Sequence, residues 1–300
     1  MGAMIDLPAA VRVMAARGPK WATWVDGLPK LVRSQFDDWD LTPDGDATNG
    51  YCSIVVPVRT ADGAAAMLKM AYPDDESEHE HLALRRWAGD GAVRLLSADP
   101  HRRAMLLERL SSRSLNELWD IEACEIVAAL YQRLHVPALP VLRTLSGFVE
   151  QWTGGLAELP RNAPIPRRLV EQAITIGRDF AADPACTGTL IHGDLHYENV
   201  LAAEREPWLV IDPKPINGDP HYELAPMLWN RWGELRGDTR GGVRRRFHAL
   251  VEAAGLDEDR ARAWVVARMV HNVMWELADD EAPDRDWLTT CVAIAKAVQD

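Results

Sequence analysis

The chain of 300 residues is long enough for one large domain or for two lobes. Its formal net charge of −12 at pH 7 argues against a nucleic-acid partner, which requires a basic surface, and suits either a cationic small molecule or simply good solvation. The sequence has no apolar run near the ~18 residues that cross a bilayer, and its four cysteines lack the paired spacing of a zinc or redox site. We therefore expect a cytoplasmic protein with reduced thiols and no membrane partner.

The first third of the chain predicts one helix followed by an antiparallel sheet. Apolar residues at helical spacing predict a helix over residues 20–34 that Pro29 interrupts or bends. Turn residues then alternate with short apolar runs, a pattern typical of antiparallel strands. The predicted strands cover a segment before residue 50 and residues 51–58, 64–70, 92–96 and 104–110.

The loop over residues 44–50 is a candidate phosphate cover. Gly45 and Gly50 have the spacing of a Walker A loop, but Tyr51 and Cys52 stand where that motif requires Lys and Ser or Thr. The motif therefore fails. The loop either covers phosphates with its backbone N–H groups or is a plain hairpin turn, and the sequence does not decide between these roles.

Lys69 is an unusual residue for its position. Only five of the 33 lysine and arginine residues are lysines, and Lys69 lies within an apolar strand. A compact ammonium that reaches between phosphates would explain the choice of lysine. The alternative is an edge-strand lysine that discourages aggregation.

The segment after Lys69 predicts a helix with an acidic first turn. Leu84 and Trp87 follow Glu80 by four and seven residues, so these three side chains share one helix face. The helix dipole explains Glu76 and Glu78 well and Glu80 less well, because acidic residues are favourable at a helix N-terminus.

The rest of the chain is mainly helical. Ser114 and Glu117 form a capping box that opens a helix, and Asp257 is placed to cap a long one. Residues 154–166 are rich in Gly and Pro and predict a connection. The predicted helices cover residues 121–135, 167–182, 243–254, about 258–279 and 285–299.

Two apolar runs frame a polar loop at residues 192–199, which reads His-Gly-Asp-Leu-His-Tyr-Glu-Asn. If the flanking runs pair as a hairpin centred on residues 204–207, Asn199 and Asp212 lie opposite each other at its open end. Their oxygens are ligands that Mg²⁺ prefers and usually shares with substrate phosphates. Asp194 is then left to face an incoming hydroxyl, so the pattern indicates phosphoryl transfer.

A zinc site is an alternative for the same loop. His192, Asp194 and His196 alternate along an extended segment, so they could point to one side and coordinate a metal. No further histidine-rich cluster follows that would complete such a site. We expect His192 to orient the loop rather than to bind a metal.

The 192–199 loop, together with Ile211, Asp212 and Pro213, resembles the catalytic segment of the aminoglycoside phosphotransferases, kinase-fold enzymes that phosphorylate antibiotics. Residues 195–220 are especially similar to the streptomycin 6-phosphotransferase and hydroxyurea resistance kinase branch. This resemblance implies an α+β, protein-kinase-like fold of two lobes, with an antiparallel sheet in a nucleotide-binding lobe at residues 1–110 and a mainly helical lobe at residues 111–300.

The resemblance also implies roles for individual residues. Asp194 would be the catalytic aspartate, and Asn199 and Asp212 would bind Mg²⁺. Lys69, positioned by Glu80 with Glu78 as the reserve, would hold the phosphates of ATP or GTP. The adenine would be bound at the hinge between the lobes, by the main-chain groups of Glu108 and Leu110.

The acceptor implied by the resemblance is a small cationic molecule, and the expected one is streptomycin or a related aminoglycoside. Asn272 and Glu276, with Trp275 beside them, lie on one stripe of the long helix after Asp257 and could hold its cationic groups. The alternative for this stripe, which also includes Arg268 and Asp279, is a solvated helix face.

Two other functions compete with this one. One is a kinase of another metabolite or antibiotic, and the other is a nucleotide-binding regulator without transfer activity. The oligomeric state and the role of Lys214, which either touches phosphate or pairs with a carboxylate, stay open.

Overall fold

The structure is a computed structural model, and it describes residues 6–278 and 282–299. The chain divides into two compact units, Met1–Ser111 and Ser112–Asp300. None of the helices that the structure describes is both long and apolar enough to cross a membrane.

The first unit contains a long helix that packs on one sheet. Helix α2 continues through Pro29, so the predicted interruption at this residue is wrong. Its apolar face is buried in the core of the unit, and this burial outweighs the single hydrogen bond that proline cannot make. The helices of this unit are α1 (Ala9–Val13), α2 (Pro19–Trp39) and α3 (Glu80–Trp87).

The sheet of the first unit is antiparallel, in the order β1-β3-β4-β6-β5, with β2 also paired to β3. Lys69 lies on β4, opposite Val55 of β3 and Met105 of β6. Because β4 is a central strand, the edge-strand explanation for Lys69 is wrong. The strands are β1 (Thr42–Pro43), β2 (Thr48–Asn49), β3 (Ser53–Arg59), β4 (Ala65–Ala71), β5 (Leu95–Asp99) and β6 (Ala104–Glu108).

The second unit is mainly helical, and the predicted helices are confirmed there except at two places. Ser114 opens only a single 3₁₀ turn, Leu115–Glu117. Residues 154–158 are the end of helix α5 rather than part of a connection. Gly155 lies close to α9, since a Cβ at this position would lie 2.8 Å from the sulfur of Met274. The helices are α4 (Asp120–Leu134), α5 (Leu145–Glu158), α6 (Arg167–Ala181), α7 (Ala225–Trp229), α8 (Thr239–Ala254), α9 (Glu258–Ala278) and α10 (Arg285–Ala297).

Two small antiparallel sheets hold the polar loop. One has the order β11-β8-β7 and the other is the predicted hairpin of β9 and β10. Val200 pairs with Val210, and the N–H of Ile211 donates to the carbonyl of Asn199. Asn199 is therefore opposite Ile211 rather than Asp212, because the turn between the strands is centred on Arg205. The strands are β7 (Val136–Pro137), β8 (Thr189–Ile191), β9 (Val200–Ala202), β10 (Trp208–Val210) and β11 (Ile216–Gly218).

Candidate active site

The first unit contains a buried ion pair between Lys69 and Glu80. Lys69 Nζ lies 2.7 Å and 2.8 Å from the two carboxylate oxygens of Glu80, the first residue of α3. The residues are only 7% and 1% exposed. A buried pair of this kind is weak evidence for stability alone, since desolvation opposes the attraction of the charges. The reserve candidate, Glu78, is instead exposed and lies 3.5 Å from Arg103.

The predicted hinge residues lie at the end of β6. The N–H of Glu108 donates to the carbonyl of Arg94, and the carboxylate of Glu108 accepts from the N–H of Arg94 at 2.8 Å. The N–H of Glu108 would therefore have to leave Arg94 in order to contact a base. Leu110 is half-buried and lies two residues beyond the last residue of the strand.

In the second unit, the peptides on both sides of Gly193 are held by charged side chains. The fully buried Glu223 accepts a hydrogen bond from the N–H of Gly193 and lies 3.2 Å from His135 Nε2. Arg268 donates to the carbonyl of Gly193 at 2.8 Å and to that of Tyr222 at 3.0 Å. Burial acts to raise the pKa of Glu223, but hydrogen bonds from His135 and Gly193 hold it below its ordinary value. These contacts fix the backbone just before Asp194.

Asp194 is held by its own main chain and by a nearby cation. Its N–H donates to His192 Nδ1 and its carbonyl accepts from Asn199 Nδ2 at 2.8 Å. Lys214 Nζ lies 3.3 Å from Asp194 Oδ2. Burial acts to raise the pKa of Asp194, but positive charge, Lys214 first, holds it below its ordinary value. Asp194 is therefore ionised at neutral pH, and Lys214 takes the carboxylate-pairing role that the sequence left open.

The two histidines of the loop use both ring nitrogens for local contacts. His192 contacts the carbonyl of Ile211 through Nε2 and the N–H of Asp194 through Nδ1. His196 accepts from the N–H of Glu198 and faces Asn199 Nδ2. Burial lowers the pKa of each, so both rings are neutral.

These contacts contradict the zinc alternative. Among residues 6–278 and 282–299, no cluster of three or more His, Cys, Asp or Glu side chains could hold a metal ion. The contacts of His192 with Ile211 and Asp194 fit the loop-orienting role expected for this residue.

Asn199 and Asp212 offer a donor set that fits Mg²⁺. The amide nitrogen of Asn199 is committed to the carbonyl of Asp194, so the amide oxygen is the atom that faces a cation. Asp212 follows β10 and has a left-handed backbone with φ of 57°. Such a conformation costs about 1–3 kcal/mol outside glycine and is typical of functional sites. A carboxylate and an amide oxygen are hard ligands, and two protein ligands suffice where phosphates supply the others.

The predicted acceptor residues on α9 occupy three different environments. Asn272 is buried, whereas Trp275 is 45% exposed and lies edge-on to Trp152, with ring centroids 5.0 Å apart. Glu276 accepts a hydrogen bond of 2.6 Å from the N–H of Asp284, the residue that caps α10.

The stripe is not a solvated face, since Arg268 and Asn272 are 7% and 8% exposed. Asp279 lies outside the described residues. Trp152 and Trp275, with Glu158, line a groove of about 450 Å³ beside α5 and α9.

The site residues that were not predicted from the sequence include Lys214, Arg268 and Glu223 with its partner His135. Lys214 could have been found by the argument that selected Lys69, because lysine is rare in this chain. Arg268 is a single charge within an otherwise apolar stretch of α9, and this was an indication of a buried role.

The family of aminoglycoside/hydroxyurea antibiotic resistance kinases matches residues 38–280 of the chain. A streptomycin 6-kinase from Streptomyces glaucescens is 39% identical and aligns over 93% of this chain and 93% of that protein. A hydroxyurea phosphotransferase from Kitasatospora aureofaciens is 40% identical and aligns over 99% of this chain and 88% of that protein.

A solved structure shares the fold. It is the apo form of a thermostable mutant of an aminoglycoside phosphotransferase, with a TM-score of 0.56 and 17% identity over 90% of this chain and 98% of that one. The predicted α+β, kinase-like fold is thus confirmed. Because the family match and the relatives each span most of the chain, it belongs to the aminoglycoside/hydroxyurea antibiotic resistance kinases.

Proposed function

We propose that this kinase transfers the γ-phosphoryl group of ATP or GTP, with Mg²⁺, to a hydroxyl of streptomycin or a related aminoglycoside. The observation that carries the proposal is the fixed backbone around Gly193, which holds an ionised Asp194 beside Asn199. Membership of a kinase family supports the reaction class. The likeness to a streptomycin 6-kinase over 93% of each chain supports the acceptor.

In the second unit, Asp194 would orient the acceptor hydroxyl and accept its proton as the new phosphate ester forms. Because its pKa lies below the ordinary value, Asp194 is a weak base, and positioning of the hydroxyl is its larger contribution. Asn199 and Asp212 would hold Mg²⁺ through their side-chain oxygens. A bound Mg²⁺ neutralises charge on the transferred phosphoryl group.

In the first unit, Lys69 would bind the phosphates of the nucleotide, and Glu80 would keep its ammonium in place. The bidentate contact of 2.7 Å and 2.8 Å supports this role, since it leaves the ammonium a single well-defined position. The main chain of Glu108 and Leu110 would bind the adenine. The N–H of Glu108 would exchange its bond to Arg94 for a bond to the base.

The acceptor would be held by groups on α9. Streptomycin carries guanidinium groups, which carboxylates bind and aromatic rings stack against. Glu276 would supply the carboxylate, Trp275 the ring and Asn272 a polar contact. The exposure of Trp275 and its place in the groove beside α5 support its part.

Hydroxyurea is a second candidate acceptor. The hydroxyurea phosphotransferase relative is 40% identical, practically the same as the 39% of the streptomycin 6-kinase relative, so similarity alone does not separate the two. Hydroxyurea carries a hydroxyl and no guanidinium, and it would therefore not need the acidic and aromatic groups of α9.

The cytoplasm is the proposed location, because that compartment supplies the nucleotide. The net charge of −12 supports a cationic small molecule as the partner and disfavours a nucleic acid.

The test is a screen for nucleoside diphosphate release, with ATP and with GTP, against streptomycin, hydroxyurea, other aminoglycosides and amino alcohols. We expect release that depends on streptomycin, a product heavier by one phosphoryl group, and loss of both in Asp194→Ala. Phosphorylation of hydroxyurea but not streptomycin would select the second candidate. Release that no acceptor stimulates, or that Asp194→Ala retains, would overturn the proposal.

A further inference from the structure

We propose that Lys214 is a positioning residue for phosphoryl transfer, which holds one carboxylate oxygen of Asp194 so that the other oxygen faces the acceptor hydroxyl. This inference rests on the proposed role of Asp194.

Two flanking prolines and two main-chain contacts fix the backbone at Lys214. Pro213 and Pro215 flank it, and a proline restricts both its own φ and the conformation of the preceding residue. The N–H of Lys214 donates to the carbonyl of His192 at 2.9 Å. The carbonyl of Lys214 packs against Gly193, where a Cβ would lie 2.3 Å from it. The main chain of Lys214 is therefore bound to the two residues that precede Asp194.

The side chain of Lys214 reaches Asp194 from this fixed base. Its Nζ lies 3.3 Å from Oδ2, and the two side chains are 36% and 24% exposed. Neither group is fully buried, so desolvation costs less than for the Lys69 and Glu80 pair. The pair is open enough for an acceptor to approach the carboxylate.

The residue type supports a role beyond charge alone. An ammonium is a point charge on a flexible stem, whereas a guanidinium is a planar fork that tends to bind both oxygens of a carboxylate. This chain uses lysine at only five of its 33 lysine and arginine positions, so arginine would be the expected cation if charge alone mattered. If Lys214 holds Oδ2, Oδ1 would face the hydroxyl.

We expect the loss of the Lys214 side chain to reduce turnover and to leave nucleotide affinity nearly unchanged. Small misplacements of a catalytic group can reduce the rate by about 10²-fold. We expect Lys214→Ala to lower kcat by roughly 10-fold to 100-fold, while the Kd of the Mg-nucleotide changes by no more than a few fold. Lys214→Arg should keep the charge but fail to restore kcat. Lys296→Ala, which removes an exposed lysine of α10, is the matched control and should leave kcat unchanged.

The experiment is a double-mutant cycle of Lys214→Ala and Asp194→Asn, read in two ways. Nucleoside diphosphate release is measured with the acceptor and with water alone, and the Tm of each protein is measured without ligands. If Lys214 acts through Asp194, Lys214→Ala causes no further loss of turnover in the Asp194→Asn background, and the two Tm shifts are not additive. Lys214→Met, which keeps the length of the side chain, replaces Lys214→Ala if that variant does not fold.

Additive losses of turnover, additive Tm shifts, or parent-like kcat in Lys214→Arg would each overturn the proposal. Failure of the proposed function is a separate result, since it would appear as a parent enzyme that phosphorylates no acceptor. The unliganded Tm cycle would still test the pair in that case.

Discussion

Gly193 and the carbonyl of Lys214 are so close that a Cβ on residue 193 would lie 2.3 Å from the carbonyl oxygen. The φ of Gly193 is +84°, a region that residues with a Cβ rarely adopt. Both facts require glycine at this position. The residue before Asp194 is therefore fixed by the close approach of two main chains as well as by Glu223 and Arg268.

The first prediction is that Gly193→Ala loses roughly 10²-fold or more in kcat and lowers Tm. The methyl group would force Lys214 and the loop apart, and the left-handed φ adds about 1 kcal/mol of strain. Steady-state kinetics and thermal unfolding measure the two effects. Gly154→Ala is the control, because its Cβ would meet nothing within 4 Å and it lies inside α5. Parent-like turnover in Gly193→Ala would show that the close approach does not matter for catalysis.

The second prediction concerns Glu80. Glu80→Gln removes the carboxylate charge that holds the buried Lys69 ammonium, and breaking a buried pair costs about 3–5 kcal/mol. We expect a lower Tm and a nucleotide Kd raised by at least about tenfold, since the ammonium is no longer held in place. Glu78→Gln, a change at the exposed neighbour, should alter neither quantity. A lower Tm with an unchanged Kd would mean that the pair serves the fold alone.

The third prediction separates metal binding from proton transfer. Asp212→Ala should abolish Mg²⁺-dependent nucleotide binding, because the nucleotide charge would lack its bridging metal. Asp194→Ala should retain that binding and lose roughly 10²-fold to 10⁴-fold in turnover. Nucleotide titrations at several Mg²⁺ concentrations measure the first effect. An unchanged Mg²⁺ dependence in Asp212→Ala would reject its proposed role.

Local patterns predicted the parts of the site that lie close together in the chain. Lys69 and Glu80 are separated by 11 residues on consecutive elements, and their pairing was predicted from the resemblance to the kinase-fold family together with the spacing of Leu84 and Trp87 from Glu80. The hairpin between Asn199 and Asp212 was also predicted, but its register was wrong by one residue. A turn's centre depends on which residues pair, and the sequence shows only that a turn occurs.

Contacts between distant segments were not predictable in the same way. Arg268 reaches Gly193 across 75 residues, and periodicity says nothing about such a contact. The apolar neighbours of Arg268 in α9 indicate only that the residue is buried, and tertiary packing supplies its two carbonyl acceptors. The predicted interruption at Pro29 and the predicted connection from residue 154 are wrong in the same way, because sequence composition does not show the packing of α2 and α5.

The fourth prediction is a loss of stability in mild acid caused by His271. This ring is fully buried against Trp152, and neither of its nitrogens has a hydrogen-bond partner among the described residues. Burial, with the charge of Arg268, lowers its pKa from 6.5 to about 3. The unfolded chain therefore binds a proton that the folded chain does not, and stability falls as the pH falls from about 6.5 toward 3.

The measurement is Tm against pH for the parent and for His271→Leu. The linkage contributes up to roughly 4–5 kcal/mol at the acid end of this window. At pH 7.5 the variant should be as stable as the parent or more so, because it removes two unsatisfied polar atoms. The difference in Tm should then grow as the pH falls. Parallel curves for the two proteins would show that His271 is not the group responsible.

The last prediction tests the acceptor role of Glu276 against its structural role. Its carboxylate accepts a hydrogen bond from the N–H of Asp284, so a simple truncation would also disturb the start of α10. Glu276→Gln keeps an oxygen that can accept this bond and removes only the charge. If the charge holds a guanidinium of the acceptor, the acceptor KM rises by about 10-fold while Tm, kcat and nucleotide KM are retained, as for a loss of uniform binding. Glu252→Gln, at an exposed position on α8, is the matched control. If the acceptor KM is unchanged in Glu276→Gln, the role of this carboxylate is only its hydrogen bond at the start of α10. A lower Tm in the variant would show that the charge also stabilises the fold.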